Sequence, residues 1–397
     1  MHPPLLILDP GNFTPVYDVN LALALIDRGW DVTWVTSPHQ FDEMPVFERL
    51  RVREAFFVHL QGLPLDPFTF STRVAMLIRR AAKGISYPID LVRFHLHLCR
   101  QEPGIIHVQW ALVPSVDAAF WRNWRRRGWI VVFTVHDPRP LTGTTPKLFW
   151  RYASELCSEA DAVIVHGDYA RRELAQLGVD DERIHTLSPG PTLIRSPSER
   201  LEARKALGLD LDVPVALFFG YIKQYKGLRI LLESLPLVKA ALGTVTLLVA
   251  GELMEPRAQY QKLISRLELE REVRWSDGYV PDRYSSLYFA AADLVVLPYL
   301  GASSSGVLLT AYACRRPVVA SSVGGIPEQV ENGRSGFLVP PGDPVALAAA
   351  MVLVLGNSQL AERMGARGRE LLEEKFAWID IATHSEALYM RLWKGRG

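Results

Sequence analysis

Short apolar runs rich in β-branched residues alternate with helix-length amphipathic segments along almost the whole chain. This rhythm is typical of βα units that build a parallel sheet. It predicts strands at 5–8, 31–36, 105–108, 130–135, 162–165 and 183–187, and in the second half at 215–219, 245–250, 273–275, 294–297 and 318–320. It predicts helices at 16–28, 115–127, 146–158, 168–177, 228–241, 256–269, 282–291, 306–313 and 344–355.

The alternation breaks near 188–209, where the turn formers Ser188-Pro-Gly-Pro precede a short charged helix at 198–207. We therefore predict an α/β protein of two Rossmann-like, doubly wound lobes that face a central cleft. The N-terminal lobe is expected at 1–190 and the C-terminal lobe at 205–376, with the amphipathic segment 379–397 packing back on the first lobe. Ligands of open α/β sheets bind at the carboxyl ends of strands, so the cleft is the predicted site.

Composition narrows the class of protein. The 397 residues match two domains of ordinary size, and 44 Lys+Arg against 43 Asp+Glu leave a net charge of +1, which gives no general reason to expect nucleic acid. Three scattered cysteines, Cys99, Cys157 and Cys314, argue for reduced thiols in the cytosol. The first nine residues resemble a strand more than a signal peptide, and the longest apolar run, 345–355, is far shorter than the roughly 20 residues of a membrane span. We expect a cytoplasmic protein.

The strongest local signal is a loop with two lysines between a strand and a helix. The strand ends at Gly220, the loop carries Lys223 and Lys226, and Gly227 opens the helix. Two ammonium groups beside a helix N-terminus form an anion site, because the helix N–H groups and dipole add to the lysine charge. The alternative is a solvated basic loop.

A second strand–loop–helix unit lies further along the same half, at 297–310. Its residues Ser304, Ser305, Gly306 and Val307 are predicted to offer N–H groups and hydroxyls to an anion. Serines that merely cap the helix are the alternative. Because both loops leave the same sheet edge, together they predict a site for one diphosphate.

The segment from Gly220 to Ala348 resembles the donor lobe of family 4 glycosyltransferases. The matches are the glycine-to-Lys226-Gly loop, Ala250-Gly-Glu252, Ala291-Ala-Asp293, Ser305-Gly-Val-Leu-Leu-Thr310, Arg316-Pro-Val-Val-Ala320, Val323-Gly-Gly-Ile-Pro-Glu328 and Val339-Pro-Pro-Gly-Asp343. The first half resembles the family more weakly, through 20–29, 133–137 and 161–165. The resemblance implies the two-lobe GT-B fold and transfer of a sugar with retention of its anomeric configuration.

The family pattern is broken at the sugar end of the site. Many members carry a Glu-x7-Glu pair that faces the transferred sugar and the nucleotide ribose, and here Ala302 and Thr310 stand at these positions. Thr310 keeps a hydroxyl for the ribose, and the chain resembles the subset with a Ser-Gly-Val loop. Lys223 replaces the usual arginine, which keeps the charge but loses the bidentate fork.

The resemblance also assigns residues on the acceptor side. The histidine that matches His136 contacts the sugar in the family, although a capping or buried histidine is the alternative here. Asp137 is a weaker candidate, because it can cap the following turn. Gly11 and Asn12 occupy the first βα loop, near the diphosphate and acceptor in relatives, and we include Tyr279 among the donor-binding residues.

Two other features admit different explanations. Asp210-Leu-Asp212 has the form of a metal-binding motif but precedes a strand in the linker, so we interpret it as a solvated turn. Trp121–Trp129 mixes aromatic and basic residues as membrane-surface segments do, and Val74–Arg100 is a second basic, amphipathic region. Solvated helix faces are the commoner explanation, and peripheral contact with an anionic membrane is the alternative.

The expected protein is a hexosyltransferase that moves a sugar from a nucleoside diphosphate sugar to a hydroxyl of a saccharide or lipid-linked acceptor, as in polysaccharide or lipopolysaccharide synthesis. Lys223, Lys226 and the helix start are expected to serve where a metal otherwise would, so no metal or cofactor and no nucleic acid is expected. Two alternatives stay open. One is a nucleotide-sugar 2-epimerase of the same fold, and the other is a non-catalytic scaffold that binds nucleotide.

Overall fold

The computed structural model describes residues 2–38, 48–60, 73–139, 154–191 and 199–396, without the side chains of 73–80, Asp277 and Asp282. Within these ranges the chain forms two parallel sheets with helices on both faces. The predicted helix at 146–158 begins outside the described residues, and residues 154–158 are helical.

The first sheet has seven strands in the order β3-β2-β1-β4-β5-β6-β7, and every neighbouring pair is parallel. The order reverses between β1 and β4, so a crevice opens at their carboxyl ends. Its strands are β1 Leu5–Asp9, β2 Val32–Thr36, β3 Arg51–Glu54, β4 Ile105–Val108, β5 Ile130–Val135, β6 Ala162–Val165 and β7 Ile184–Thr186.

The second sheet has six strands in the order β10-β9-β8-β11-β12-β13, again all parallel. Its order reverses between β8 and β11, and both anion loops predicted from the sequence leave these two strands. Its strands are β8 Val215–Phe219, β9 Thr246–Gly251, β10 Val273–Asp277, β11 Leu294–Leu297, β12 Val318–Ser321 and β13 Gly336–Val339.

Helices cover both faces of each sheet. Those of the first lobe are Pro15–Ile26, Arg73–Leu98, Pro114–Arg126 and Asp168–Gln176. Those that follow are Arg200–Ala206, Leu228–Leu242, Arg257–Arg266, Asp282–Ala291, Gly306–Ala313, Ile326–Gln329, Pro344–Leu355, Ser358–Lys375 and Trp378–Lys394.

The last helix leaves the second lobe and packs on the first. Ile381, Ala382 and Leu388 join the core formed by helix Pro15–Ile26 and one face of the first sheet. The Trp378 ring lies against Gly190, where a built Cβ would come within 2.2 Å of it, and its indole N–H donates to the Pro191 carbonyl. Only a glycine fits at position 190. The start of the last helix therefore packs on the segment that leaves the first lobe.

A buried arginine organises the start of the second lobe. Arg204 has no exposed surface and donates to the carbonyls of Ala291, Asp210, Leu211 and Val213. Its helix, Arg200–Ala206, packs against Asp282–Ala291, so the second lobe includes residues from 200 onward and not only from 205. Asp210 and Asp212 form an exposed turn in which Asp212 N–H donates to Asp210 Oδ1 over 2.9 Å.

The pattern analysis missed two strands, β3 and β13, and two helices, the four-residue Ile326–Gln329 and Ser358–Lys375, in the described chain. β3 is a polar edge strand, Arg-Val-Arg-Glu, and lacks the β-branched run that marks a buried strand. β13 and helix Ser358–Lys375 lie on either side of the predicted helix 344–355, in segments that carry glycines or alternating charges, and we predicted no element at either place.

The membrane interpretation of Trp121–Trp129 is wrong for its aromatic residues. Trp121, Trp124 and Trp129 are 0%, 0% and 2% exposed and belong to the core of the first lobe. Trp121 and Trp124 are three residues apart on helix Pro114–Arg126, so both fall on its buried face. No single helix among the described residues is long and apolar enough to cross a membrane, and one bent pair, Pro344–Leu355 with Ser358–Lys394, meets the criteria by length and composition alone.

Candidate active site

The lysine loop, residues 220–227, is held in place by two glycines. Gly227 caps helix Leu228–Leu242 with a left-handed φ of 70°, and a Cβ built there would lie 1.9 Å from the Pro298 carbonyl oxygen. Gly220 also has a positive φ, 97°. The Leu300 N–H donates to the Tyr225 carbonyl over 2.6 Å. The loop after β8 is therefore tied to the loop after β11.

Lys226, Gly220 and Val307 meet at one point of the cleft. A Cβ built on Gly220 would lie 3.1 Å from Lys226 Nζ and 3.7 Å from Val307 Cγ2. The Lys226 ammonium lies 5.5 Å from the centre of the Tyr299 ring. Burial lowers the pKa of Lys226 to about 8, against the opposing effect of Asp137, and burial also lowers the pKa of Lys223. Both ammonium groups are thus poorly solvated, which strengthens their attraction for an anion.

The serine loop, residues 298–305, leads into helix Gly306–Ala313. Ser305 does not offer its N–H to a ligand, because that group donates to Gln329 Oε1 over 2.8 Å, and its hydroxyl caps the helix by accepting from Leu308 N–H. Gly306 and Val307 begin the helix, are half-buried, and have N–H groups without a partner among the described residues. These two amides, and not Ser305, are the open donors beside Lys226.

The two positions where the family carries glutamates are both buried. Ala302 is 4% exposed and Thr310 is 3% exposed. The Thr310 hydroxyl donates to the Gly306 carbonyl over 2.8 Å, one turn back along its own helix. The hydroxyl proton is therefore engaged within the helix, so Thr310 could meet a ribose hydroxyl only as an acceptor, and its role at the ribose stays a prediction.

The first βα loop, which holds Gly11 and Asn12, is organised by a buried carboxyl. Asp9 accepts from the N–H groups of Gly11, Phe13 and Thr14 over 3.2, 2.7 and 3.0 Å. Burial raises the pKa of Asp9. The pKa of Asp18 is also raised, first by burial and then by the negative charge of the neighbouring Asp9. Because Asp9 takes these N–H groups, the backbone N–H groups of this loop are not open to an anion. Gly11 and Asn12 line the cleft cavity, and their contact with donor or acceptor stays a prediction.

His136 belongs to a chain of buried polar side chains at the carboxyl ends of β4, β5 and β6. His136 Nδ1 lies 3.1 Å from His166 Nε2, and His166 Nδ1 lies 3.1 Å from the Leu187 carbonyl oxygen. His136 Nε2 lies 3.1 Å from Gln109 Oε1. The Trp110 ring stacks on His136 with centroids 5.0 Å apart and planes 13° apart.

The carbonyl at the end of this chain determines the tautomers. Burial lowers the pKa of His166 to about 4 and that of His136 well below its usual range, so both rings are neutral. A carbonyl only accepts, so His166 carries its proton on Nδ1 and accepts from His136 Nδ1–H. His136 Nε2 then holds a lone pair, and the Gln109 amide is expected to turn its N–H toward it. Since both ring nitrogens have partners, His136 is a fixed wall of the cleft and not a free acid or base.

Asp137 is the carboxylate that faces the lysine loop from the first lobe. Its side chain is hydrogen-bonded to the Ser303 hydroxyl and attracted by Lys223 and Lys226. Burial outweighs these effects and raises its pKa. Asp137 thus joins residues of both lobes, although sequence reasoning ranked it below His136.

A cavity of ≈ 580 Å³ lies between the lobes next to these residues. Gly11, Asn12 and Lys83 line it from the first lobe, and Gly220, Lys223, Tyr221, Glu252, Met254 and Tyr279 line it from the second. His136, Lys226 and Ser304–Val307 are not part of its lining and lie beside it. The cleft therefore has a cavity and, at its side, a pair of cations with open helix amides.

One carboxylate of the second lobe makes a direct contact with the first lobe. Glu328 accepts from the N–H groups of Asp168 and Tyr169 over 2.8 and 2.7 Å, at the start of first-lobe helix Asp168–Gln176. A Cβ built on Gly167 would lie 2.3 Å from Glu328 Oε2, so the glycine makes room for this contact. Glu328 acts as an N-cap supplied by the other lobe.

Sequence reasoning missed Gln109, His166, Lys83 and Glu328. A usable signal exists for the first two, because Gln109 and His166 follow β4 and β6 just as His136 follows β5. Polar residues at the ends of adjacent parallel strands converge. Lys83 and Glu328 carry no comparable local signal. Among the described residues, no group of three or more His, Cys, Asp or Glu side chains could hold a metal ion.

The fold and the site define a protein class: two Rossmann lobes with an anion site at the switch point of the second are the architecture of GT-B glycosyltransferases. Comparison with known proteins agrees. Residues 16–193 match the family model Glycosyltransferase Family 4, and residues 213–357 match Glycosyl transferases group 1.

The chain is similar to a D-inositol 3-phosphate glycosyltransferase of Mycolicibacterium vanbaalenii, with 30% identity over 86% of this chain and 77% of the relative. Among solved structures, sucrose-phosphate synthase from Thermosynechococcus elongatus has a TM-score of 0.76 at 22% identity, covering 100% of both chains. Anabaena HepE in complex with UDP and glucose has a TM-score of 0.75 at 20% identity, covering 98% of this chain and 99% of that one. The chain belongs to glycosyltransferase family 4 and is an enzyme of the hexosyltransferase class.

Proposed function

We propose that this chain transfers a hexose from a nucleoside diphosphate sugar to a hydroxyl group of a saccharide or lipid-linked acceptor, with retention of the anomeric configuration and without a metal. The observation that carries the proposal is the meeting of Lys226, Gly220 and Val307, with Lys223 nearby. Two poorly solvated ammonium groups and two open helix amides suit the diphosphate of such a donor.

The chemistry requires stabilisation of the leaving group. The acceptor oxygen bonds to the anomeric carbon while the bond from that carbon to the β-phosphate oxygen breaks, and negative charge grows on the diphosphate. Lys223, Lys226 and the N–H groups of Gly306 and Val307 would stabilise this charge. In a front-face attack the acceptor proton passes to the leaving phosphate oxygen, so no protein base is needed. His136, fixed by Gln109 and His166, would support the sugar from the first lobe.

Lys226→Ala tests the role of the ammonium. We expect a loss on the order of 3 kcal/mol in transition-state stabilisation, comparable with removal of one oxyanion donor. The exposed Lys262 on the same lobe is the matched control, and Lys262→Ala is expected to keep wild-type turnover. Turnover near wild type in Lys226→Ala would contradict the assignment.

Product analysis with a panel of UDP, GDP and ADP sugars tests the reaction class. Thermal shift selects the donor first, because a ligand that binds only the folded chain raises its melting temperature. A transferase forms a glycosylated acceptor and nucleoside diphosphate, which supports the proposal. Release of an epimerised sugar nucleotide without acceptor would instead show a 2-epimerase, and nucleotide binding without any product would show a scaffold.

We further propose that the enzyme works at the cytoplasmic face of an anionic membrane, through helix Arg73–Leu98. Ile85, Ile89, Val92 and Leu96 follow one another at helical spacing and are 71%, 48%, 47% and 56% exposed. This apolar stripe lies on a first-lobe helix that also carries the exposed Arg93, is followed by the exposed Arg100, and packs against helix Pro114–Arg126 with its exposed Arg126. An apolar stripe flanked by arginines is typical of helices that lie in the interface of an anionic bilayer.

Vesicle sedimentation tests this second proposal. Ile89→Glu with Leu96→Glu should abolish binding to vesicles that contain anionic phosphatidylglycerol. Leu353→Glu is the matched control, since Leu353 is also 56% exposed but lies on the second lobe. Equal binding by the double variant and the control, or failure of the wild type to bind at low salt, would refute it.

A further inference from the structure

Asp137 has an environment that a turn-capping aspartate would not need. It follows His136 at the carboxyl end of β5 and is accessible to solvent in the cleft, while protein of both lobes surrounds it. Its hydrogen-bond partner is Ser303, and the charges that act on it are those of Lys223 and Lys226, all in the second lobe. The side chain is therefore directed to the donor side of the cleft.

A carboxylate at this place weakens the binding of the diphosphate itself. The carboxylate attracts the same two lysines that would hold the phosphates. Its negative charge also repels the phosphates themselves. Its presence calls for a role with another part of the donor. The sugar is joined to the β-phosphate, so with the diphosphate held as proposed it would lie beside Lys226, on the side of the first lobe.

The second lobe has little to bind a sugar at this point. Ala302, which adjoins Ser303, contributes only a methyl group, and the Thr310 hydroxyl is engaged with Gly306. Hydrogen bonds from sugar hydroxyls to a carboxylate are charge-assisted and stronger than those to neutral groups. The charge of Asp137 acts on both lysines, so its carboxylate is within reach of a sugar held beside them.

We propose that Asp137 binds hydroxyl groups of the transferred sugar and thereby restricts the donor to neutral hexoses, excluding uronic acids. The inference rests on the proposed glycosyl transfer and names the substrate class of that same site. A diphosphate, once bound, neutralises the lysines, so the Asp137 carboxylate turns from them to the sugar. A uronate donor would instead place a second carboxylate against Asp137, and like charges in a poorly solvated cleft repel.

The test compares two ligands, because a sugar contact and a structural role affect them differently. Calorimetry measures the affinity of wild type and Asp137→Asn for UDP and for UDP-glucose, or for the base and hexose that the donor panel selects. We expect Asp137→Asn to bind the nucleoside diphosphate at least as tightly as wild type does. The affinity for the sugar nucleotide, divided by the affinity for the nucleoside diphosphate, should be about tenfold or more lower in the variant than in wild type. Asp212→Asn, in the exposed turn before β8, controls for loss of one negative charge.

A second readout is the choice of donor. Asp137→Asn should raise kcat/KM for the corresponding nucleoside diphosphate uronate, relative to the hexose, by about tenfold or more. Parallel changes for both ligands would show a merely structural or counter-ion role, and an unchanged preference for hexose over uronate would also overturn the inference. If wild type neither binds nor transfers any hexose, the proposed function fails as well, so the two failures are distinguishable.

Discussion

If the donor diphosphate binds at Lys226 as proposed, the low pKa of this ammonium makes donor binding depend on pH. Burial lowers the pKa of this ammonium to about 8 in the free chain. A bound diphosphate would raise it again, because nearby negative charge favours the protonated form. Binding above pH 8 must therefore take up a proton, and affinity must fall as pH rises.

The size of the effect follows from the pKa. With a value of about 8, about nine in ten Lys226 side chains carry a proton at pH 7 and about one in ten at pH 9. Affinity for a sugar nucleotide should thus be about tenfold weaker at pH 9 than at pH 7, or about 1.4 kcal/mol. At pH 8.5, binding should take up about 0.8 proton.

Calorimetry in buffers of different ionisation enthalpy measures both quantities. A sugar nucleotide is the better ligand than the free diphosphate, because its phosphates do not titrate in this range. Lys226→Arg keeps the charge at every pH and should lose the part of the dependence that is due to Lys226, while Lys223, whose pKa is also lowered, still titrates. Proton uptake near zero at pH 8.5, with equal affinity at pH 7 and 9, would refute the placement of Lys226 against the diphosphate.

Three further predictions concern parts of the fold that support the site. Arg204→Lys should lower the free energy of unfolding by about 3 kcal/mol in urea titrations, because lysine cannot replace the guanidinium in its buried contacts, whereas Arg200→Lys, 44% exposed, should change it by less than about 1 kcal/mol. The pKa of Asp18 is raised in the folded chain. Above the ordinary pKa range of an aspartate, the unfolded chain loses this proton while the folded chain keeps it, so the free energy of unfolding falls as pH rises. Asp18→Asn should therefore gain stability over wild type as pH rises above the ordinary range of an aspartate. Glu328→Ala should speed hydrogen exchange of the Tyr169 amide several-fold, because it removes the cap supplied by the other lobe.

Each of these three has an outcome that would contradict it. For the arginines, it is equal destabilisation by the buried and the exposed substitution. For Asp18, it is parallel pH profiles of wild type and variant. For Glu328, it is hydrogen exchange of the Tyr169 amide at the same rate in Glu328→Ala and in wild type.

Much of the donor side of the site could be predicted from the sequence, because its signals are local. Lys223 and Lys226 lie in one loop between a strand and a helix, and Gly220 and Gly227 occur where the backbone needs positive φ. The serine loop has the same form. The structure changes only which N–H groups are open to an anion. The Ser305 N–H donates to Gln329, and the open N–H groups are those of Gly306 and Val307.

The first-lobe side could not be predicted to the same extent. Three N–H groups of the first βα loop donate to the Asp9 carboxyl. This arrangement depends on the burial of Asp9, and in the sequence Asp9 is marked only as the residue at the end of a strand. The alternating tryptophans and arginines of 121–129 resemble a membrane segment, yet their spacing places the aromatic rings in the core. Asp137 looks like a turn residue until the second lobe is placed opposite it. In each case the missing information is a long-range contact.

A crystal structure of the chain with a bound nucleoside diphosphate tests the central claim most directly. The account predicts that the β-phosphate lies within hydrogen-bond distance of Lys226 Nζ and of the Gly306 and Val307 N–H groups, with Asp137 turned toward the space that the sugar would fill. A diphosphate bound elsewhere in the cleft, with Lys226 still facing Gly220 and Tyr299, would contradict it.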